Sequence, residues 1–329
     1  MTSINDIARM AGVSKSTVSK VLNQYDSVSD QTRRKVEQAV RALNYVLNAA
    51  AISLSKKNFH RVGLIVDMTY YKQAVDEIDI LYLFGAFEKA GEYQMEAVTF
   101  FTSQFAHMSG DDMIRYLKSQ GITGIIVYSL ARENVKLYNV IMSKEFKAVV
   151  VDSPIVSQMI SSVSVDHYKG QYEVAKKAVE SGTGSTVLYI ACGPDGYMTD
   201  ARLAAMRRLK EERNLELIVE YADYSEKKAR EITFARGREA DVIVCASDLM
   251  AIGAACALEE MGVRRPVSGY DGITLMGYMR TPMYTLKQDF KKISSTAFLE
   301  LVRLFEGGTG RHVTMEAKVV QIFYKDVMK

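Results

Sequence analysis

The chain has 329 residues, of which 48% are hydrophobic and 25% are charged, and its formal net charge is +3. This composition is typical of globular proteins and excludes collagen-like, disordered and disulfide-stapled chains. Its apolar runs are far shorter than the roughly 18 residues that a membrane span needs. It has three scattered cysteines and no basic-then-apolar leader at its N-terminus, which predicts a reduced protein of the cytoplasm.

The small net charge conceals an uneven distribution along the chain. Residues 1–60 contain nine Lys and Arg but only four Asp and Glu, a net charge of +5, whereas the remainder carries −2. A basic segment attached to a slightly acidic body indicates that only the first segment meets a polyanion such as nucleic acid. The length is compatible with two or three domains, so this segment can be a domain of its own.

The first sixty residues show the start and stop signals of three short helices. Ser3 and Asp6 form a capping box, Gly12 suits the left-handed end of the first helix, and Ser14 and Ser29 are N-caps of the next two. Two short helices joined by a glycine-containing turn form a helix-turn-helix, and the third helix completes a bundle. The predicted buried positions are Ile4, Ile7, Ala8, Ala11, Val18, Val21, Leu22, Val36, Ala39, Val40 and Leu43.

The outer face of the second helix has the chemistry of a DNA-reading surface. With its apolar residues turned inward, this helix presents Lys15, Ser16, Ser19 and Lys20 to the outside. Hydroxyls and long cationic side chains suit base edges and phosphates of the major groove. The alternative is a generic three-helix bundle with solvated lysines, but caps, turn, periodicity and surface chemistry agree on DNA binding.

This segment resembles the headpiece of the lactose/galactose repressor (LacI/GalR) family of transcriptional regulators. The resemblance is carried by residues 4–23, INDIARMAGVSKSTVSKVLN, by residues 28–36, VSDQTRRKV, and by residues 42–45, ALNY. It implies that Lys15, Ser16 and Lys20 read bases. It also implies phosphate contacts, which fall on Ser14, Thr17, Asn23, Thr32 and Tyr45.

Residues 47–54, LNAAAISL, resemble the hinge of the same family, which becomes helical on the operator and inserts a leucine into the minor groove. Leu54 stands at the position of that leucine, and Asn48 is a further expected DNA contact. An apolar wedge kinks DNA at a cost of a few kcal/mol, which the added contacts offset. Two residues depart from the family pattern, since Leu47 stands in place of proline and Ile52 in place of arginine. An ordinary linker is the alternative reading.

Beyond residue 60 the sequence alternates between short apolar runs and longer helical periods. Such alternation predicts α/β architecture with doubly wound parallel sheets, and the number of strands favours two lobes. Strands are predicted at 62–66, 95–101, 124–128, 148–151, 186–191, 216–221, 241–246, 266–270 and within 313–323. Helices are predicted at 81–90, 112–119, 168–181, 200–213, 225–235 and 249–261.

The body resembles the family's effector-binding core, which is similar to periplasmic sugar-binding proteins. The matching stretches are residues 146–154, 162–166, 241–253, 269–272 and 285–288. The resemblance implies three domains: a headpiece at 1–46, a hinge at 47–60, and a core at 61–329. Within the core, lobe one is expected at about 61–157 plus 288–315, and lobe two at about 158–287 plus 316–329.

Polar residues just beyond predicted strands mark a candidate effector cleft, because ligands of open α/β sheets bind at the carboxyl ends of the strands. Asp152, Ser247 and Asp271 follow strands, Arg202 lies early in a helix, and Tyr224 stands where the family often has an aromatic. Carboxylates and a guanidinium can bind sugar hydroxyls, while a tyrosine ring covers apolar sugar surface. Further rim candidates are Tyr70, Tyr71, Tyr128 and Tyr197. Each of these residues taken alone can equally be a cap or a core aromatic.

The sequence contains no recognisable catalytic motif. It lacks a dinucleotide fingerprint, a phosphate-binding loop and a nucleophile elbow, and its four histidines have no metal-ligand spacing. His167, next to Asp166, is interpreted as a helix-start residue rather than a base. We therefore expect neither an enzyme, nor a metal site, nor a cofactor.

Together these patterns predict a dimeric regulator, most simply a repressor, that binds a near-palindromic double-stranded operator under control of a carbohydrate effector. One alternative keeps the fold but uses a purine or phosphosugar corepressor. Another is a sugar-binding or sugar-processing protein without gene regulation.

Overall fold

The computed structural model describes residues 3–22, 27–43, 60–67, 77–194 and 196–328. The N-terminal part is a bundle of three helices, whose buried side chains form one small core around Ile7, Val18 and Val36. Every position that the sequence predicted to be buried here belongs to this core or packs against it. The helices are α1 (Ile4–Ala11), α2 (Lys15–Leu22) and α3 (Asp30–Ala42).

The caps and turns of the headpiece follow the sequence signals. The backbone N–H of Ser3 donates to Asp6 over 2.9 Å, and Gly12 ends α1 with φ +65°. A left-handed φ costs glycine nothing, which explains why glycine stands at this turn. Ser29 accepts a hydrogen bond from the N–H of Thr32 at the start of α3.

The rest of the chain folds around two six-stranded sheets. The order in the first sheet is β11-β5-β4-β3-β1-β2, with all neighbours parallel, and the order in the second is β12-β10-β9-β8-β6-β7. In the second sheet only the edge strand β12 runs antiparallel. The strands are β1 (Arg61–Val66), β2 (Glu96–Phe101), β3 (Gly124–Tyr128), β4 (Lys147–Val151), β5 (Ile160–Val165), β6 (Thr186–Ala191), β7 (Glu216–Tyr221), β8 (Val242–Cys245), β9 (Val267–Ser268), β10 (Tyr284–Lys287), β11 (His312–Met315) and β12 (Lys318–Gln321).

Helices cover both faces of each sheet, which is why central strands such as β3 and β8 are apolar. The central strand β5 differs, because it also buries Ser161, Ser162 and Ser164. In lobe one, α4 and α11 pack on one face and α5 and α6 on the other. In lobe two, α7 and α8 lie opposite α9 and α10. These helices are α4 (Glu77–Glu92), α5 (Gly110–Ser119), α6 (Val135–Met142), α7 (His167–Glu180), α8 (Tyr197–Arg213), α9 (Glu226–Arg236), α10 (Asp248–Glu260) and α11 (Phe290–Phe305), and a short α12 (Tyr324–Val327) follows β12.

One predicted lobe boundary is wrong. Residues 162–166 were expected to begin lobe two, but β5 pairs with β4 and β11 in the sheet of lobe one. The chain therefore enters lobe two only after Val165, at the start of α7. The β5 residues Val163 and Val165 pack in the core of lobe one, and their burial there decides which sheet the strand joins.

The predicted strands and helices of the body are present, with ends that shift by a few residues. No helix was predicted at α6 or α11 and no strand at β5 or β10. The predicted strand segment at 313–323 holds two strands, β11 and β12, which lie in different sheets. The chain crosses between the lobes three times, after Val165, after Lys287 and between Met315 and Lys318. Each crossing starts at the carboxyl end of a strand. The carboxyl-terminal edges of the two sheets are therefore held close together.

Candidate DNA-reading surface and effector cleft

The start of α2 is held by a small network of hydroxyl groups. Ser14 Oγ accepts a hydrogen bond from the backbone N–H of Thr17 over 3.1 Å. The same oxygen lies 2.8 Å from Ser16 Oγ and 2.8 Å from Thr17 Oγ1. This network satisfies the first turn of the helix and fixes the hydroxyls on one side of it.

The side chains expected to read bases stand on the outside of the headpiece. Lys15, Ser16 and Lys20 are exposed, whereas Val18 and Val21 point into the core. Thr32, an expected phosphate contact, is half-buried in the first turn of α3, where its hydroxyl lies 2.9 Å from Ser29 Oγ. Four expected DNA contacts lie outside the described residues, namely Asn23, Tyr45, Asn48 and Leu54. The unusual hinge residues Leu47 and Ile52 lie outside them as well.

Three of the five predicted effector residues have a strained backbone. Asp152 has φ +58°, Tyr224 has φ +60° and Asp271 has φ +128°. Such values cost non-glycine residues on the order of 1–3 kcal/mol each and concentrate at binding sites. Asp152 follows β4 and Asp271 follows β9, so both lie at the carboxyl edges where the lobes face each other.

A buried hydrogen-bonded cluster joins the lobes at this edge. His167, the first residue of α7, places Nε2 2.9 Å from Asp152 Oδ1 and Nδ1 3.0 Å from the hydroxyl of Tyr270. From α4, Tyr82 donates its hydroxyl to Asp152 Oδ2 over 3.3 Å. Burial lowers the pKa of His167, against the opposing effect of the Asp152 carboxylate.

Arg202 completes this cluster from α8. Its guanidinium carbon lies 3.7 Å from the ring centroid of Tyr270, and its Nη2 lies 3.3 Å from His167 Nδ1. Its Nη1 donates to the backbone carbonyl of Ala246, which ends β8. With 2% exposure, Arg202 is a buried cation that is held by aromatic, carbonyl and imidazole partners. The predicted residues Asp152 and Arg202 are thus joined through His167.

Asp271 lies in the same region and is hydrogen-bonded to the segment that crosses between the lobes after Lys287. Gln288 donates from Nε2 to Asp271 Oδ1 over 3.1 Å. Burial raises the pKa of Asp271 well above its ordinary value, although the positive charge of Arg202 acts against this rise. A carboxyl group with a raised pKa can donate as well as accept a hydrogen bond, which suits a hydroxyl-bearing ligand.

Ser247 serves the fold directly. It is the N-cap of α10, where its Oγ accepts a hydrogen bond from the N–H of Met250 over 3.3 Å. The neighbouring Asp248 is fully buried and accepts from the N–H groups of Gly272 and Ile273 over 2.6 and 2.9 Å. Thr285 donates to its other oxygen over 2.6 Å. Asp248 therefore holds the loop that carries Asp271.

The tyrosines proposed for the rim divide into different environments. Tyr128 is not at the rim: it is 2% exposed inside lobe one, where its hydroxyl lies 2.6 Å from Ser294 Oγ. Tyr197 lies under Arg132, whose guanidinium carbon is 4.6 Å from the ring centroid. Tyr224 is half-buried beside the core of lobe two. Tyr70 and Tyr71 lie outside the described residues.

A cavity of about 750 Å³ lies next to this cluster, at the crossings between the lobes. Its walls include Gly272 and Gln288, which adjoin Asp271, and the apolar Ile78 and Phe290. None of the five predicted effector residues lines this cavity. It is lined by residues of both lobes, among them Leu81, Thr274, Lys287, Thr314 and Lys318.

Four buried polar atoms in and beside the cluster have no hydrogen-bond partner among the described residues. They are Arg202 Nε, Thr199 Oγ1, Ser153 Oγ and Gln288 Oε1. Burying such an atom without a partner costs about 1–3 kcal/mol. A polar ligand that pairs with these atoms would recover this cost.

Several members of the cluster were missed by sequence reasoning. His167 was interpreted as a helix-start residue, which is its position, but its side chain lies at the centre of the cluster. It lies two residues after the end of β5, so the rule that selected Asp152 points to its neighbour Asp166 instead. Tyr270 and Gln288 stand inside stretches that resemble the family. Tyr82 gave no signal, since it is one apolar position among several in α4.

Within the described ranges, no three His, Cys, Asp or Glu side chains come together in a way that could hold a metal ion. None of the helices in the described part of the chain is long and apolar enough to cross a membrane.

Comparison with known families places the chain. Residues 3–48 match the model described as "Bacterial regulatory proteins, lacI family". Residues 82–280, well over half of the chain, match "Periplasmic binding proteins and sugar binding domain of LacI family". The chain belongs to the LacI family. It is a DNA-binding transcriptional regulator with an effector-binding domain, and not an enzyme.

Individual members of the LacI family resemble this chain over nearly its whole length. The transcriptional repressor PurR of Vibrio vulnificus (strain CMCP6) is 26% identical over 322 residues, which cover 91% of this chain and 90% of PurR. The Lac repressor dimer bound to operator and the anti-inducer ONPF superposes with a TM-score of 0.80 at 23% identity, covering 100% and 99% of the two chains. The regulator CelR in complex with cellobiose gives 0.71 at 22% identity, covering 98% and 99%.

Proposed function

We propose that this LacI-family regulator is a cytoplasmic repressor that binds a near-palindromic operator as a homodimer and changes its affinity when a carbohydrate enters the interlobe cleft. The observation that carries the effector proposal is the group of unpartnered buried atoms beside Asp152, Arg202 and Asp271. Carboxyl, guanidinium and amide groups at one edge suit the adjacent hydroxyls of a sugar. The proposed site also includes Ser247 and Tyr224. Ser247 has a second role as the N-cap of α10.

The proposed DNA contacts rest on the exposed face of α2. Lys15, Ser16 and Lys20 stand together on it, and the cap network orients Ser14 and Thr17 toward the same side. Residues near the start of a recognition helix reach base edges, while hydroxyls and cations beside them contact phosphates. The proposal adds Thr32 and the residues outside the described ranges, Asn23, Tyr45, Asn48 and Leu54, as backbone and minor-groove contacts.

The homodimer proposal is supported by an exposed apolar stripe on α4. Ile80, Phe84 and Phe87 are 51%, 59% and 45% exposed, and their spacing places them on one face of the helix. Apolar patches of this kind mark association surfaces, and a two-fold dimer presents two such stripes to each other. The Lac repressor relative is a dimer on its operator. Phe84→Asp should give a monomer in analytical ultracentrifugation, whereas Glu211→Ala, at an exposed position of α8, should not.

The experiment that tests the proposed function has two steps. Selection of bound sequences from a random duplex library should return a site with two related half-sites. A thermal-shift panel of sugars, including cellobiose, should then identify a ligand, since binding raises stability by RT ln(1 + [L]/Kd). The identified sugar should alter operator affinity in a salt-controlled titration. Selection of a single unpaired half-site would contradict the proposal that the protein binds as a dimer. A panel in which no sugar raises the melting temperature would contradict the proposal of a carbohydrate effector.

A second effector class is favoured by one observation, the charge of the cavity walls. The cavity walls carry four lysines and three carboxylates: Lys287, Lys291, Lys292, Lys318, Glu77, Asp289 and Glu316. Of the lysines, only Lys291 forms a salt bridge within the described part of the chain. Their charge suits an anionic ligand such as a phosphosugar corepressor. The panel should therefore include sugar phosphates, and a phosphosugar that strengthens operator binding would establish this class in place of the neutral sugar.

A further inference from the structure

His167 forms the most deeply buried polar contact between the two lobes. Asp152 follows β4 in lobe one, whereas His167, Tyr270 and Arg202 belong to lobe two. The side chains of His167 and Asp152 are only 7% and 5% exposed, and their atoms are 2.9 Å apart. The imidazole therefore connects the lobes from inside the proposed effector cleft.

The partners of the imidazole determine which of its nitrogens carries the proton. A guanidinium can only donate hydrogen bonds, so Arg202 at 3.3 Å requires Nδ1 to be an acceptor. The hydroxyl of Tyr270 can donate to the same nitrogen over 3.0 Å. Nε2 then carries the proton and donates it to Asp152. The network thus fits a neutral imidazole with one donor and one acceptor.

Other side-chain contacts between the lobes lie nearer to solvent. They include the salt bridge from Arg132 to Asp200, whose side chains are 43% and 54% exposed, and the exposed hydrogen bonds from Thr274 to Glu77. Exposed ion pairs contribute at most about 1 kcal/mol, because water screens them. Among these contacts of the described residues, the one through His167 is the least screened by water.

We propose that His167 is a positioning residue of the effector cleft, which holds Asp152 and Arg202 in register and keeps the lobes together only while its imidazole is neutral. This inference rests on the proposed function, since it assigns the cleft to effector binding. The charged and titratable groups that face His167 are Asp152 from β4, Arg202 from α8, Tyr270 after β9 and Asp166 beside it. A second proton on Nδ1 would set two cationic donors against each other at the Arg202 contact, so acidification should loosen the closure.

The sign of the effect follows from the lowered pKa of His167. Because its folded pKa lies below the ordinary value of 6.5, the stabilising contact is fully present above that value and is lost as the pH falls below it. A glutamine at this position can also donate to Asp152 and accept from Arg202, but it does not titrate. Wild type and His167→Gln should therefore behave alike at neutral pH and differ in acid.

The test is small-angle scattering of the full chain at pH 7.5 and pH 5.5, together with thermal unfolding in the same buffers. Wild type should show a larger radius of gyration at pH 5.5 and a fall in Tm exceeding that of His167→Gln by roughly 2–4 °C. The control His107→Gln replaces an exposed histidine and should follow wild type. If His167→Gln expands and loses stability in parallel with wild type, or if neither responds, the proposal is wrong.

A second variant addresses the contact itself. His167→Ala lacks both hydrogen-bonding atoms and should be expanded at both pH values; a compact His167→Ala would also refute the proposal. Should this variant fail to fold, the comparison with His167→Gln still decides. None of these measurements contains sugar or DNA. If the proposed effector class is wrong, their results do not change, and the error shows only in the thermal-shift panel.

Discussion

Replacement of Asp248 tests how the effector loop is held in place. Asp248→Ala removes the acceptor for the N–H groups of Gly272 and Ile273, whereas Asp248→Asn keeps an acceptor oxygen of the same size. Neither variant carries the buried carboxylate, so the cost of burying its charge cancels in the comparison. Each buried donor left without a partner costs about 1–3 kcal/mol, so Asp248→Ala should be about 2–5 kcal/mol less stable than Asp248→Asn.

The charge of Asp248 has its own signature in the pH dependence. Burial raises the pKa of this carboxyl from 3.8 to about 6, so the folded state retains its proton more tightly than the unfolded state. The associated stability is fully present below pH 3.8 and is lost as the pH rises through about 6, a loss of about 3 kcal/mol. Asp248→Asn removes this loss and should be at least as stable as wild type at pH 7.5.

The assay is urea unfolding followed by far-UV circular dichroism, a probe that does not need the tryptophan that this chain lacks. Wild type, Asp248→Asn and Asp248→Ala are compared between pH 4 and pH 8. Equal stability of the alanine and asparagine variants at pH 7.5 would refute the role of Asp248 as the acceptor for the loop. A wild-type pH profile that Asp248→Asn reproduces unchanged would refute the assignment of the titration to Asp248.

Three further predictions concern DNA and effector binding. Lys20→Ala should change the selected base preference, whereas Lys35→Ala should weaken all sequences alike; identical specificity profiles for the two variants would remove Lys20 from the base-reading set. Arg202→Ala should abolish the response to the identified effector while operator binding persists, and exposed Arg207→Ala on the same helix should respond normally. A normal effector midpoint in Arg202→Ala would contradict its proposed role. Leu54→Ala should reduce operator bending in gel-phasing experiments, and unchanged bending would exclude the minor-groove wedge.

The headpiece could be predicted from the sequence almost residue by residue. Its signals are local: Ser14 and Ser29 accept hydrogen bonds from N–H groups three residues downstream, Gly12 ends a helix through its own φ, and the buried face repeats within single helices. The doubly wound fold of the body was also predictable, because a strand covered on both faces must be apolar throughout. Such patterns involve only residues that are close together in the sequence, so a single sequence is enough to recognise them.

The membership of β5 in lobe one could not be read in the same way. An apolar strand fits either sheet equally well, and its pairing partner β11 lies about 150 residues away along the chain. The register of that long-range pair, and the packing of Val163 in the core, decide which sheet receives the strand. The motif at residues 162–166 therefore marked a transition between lobes but put it a strand too early.

The sequence by itself determined the regulator's architecture, because helix caps, turns and apolar periods are local consequences of residue type. It also pointed to Asp152, Arg202 and Asp271, since side chains that follow parallel strands collect at one edge. Only the tertiary structure decided that these residues are linked through His167, and that Tyr82 and Tyr270 complete the cluster. Those contacts join residues 15 to 103 positions apart, and their hydrogen bonds exist only because three chain crossings bring the two sheet edges together.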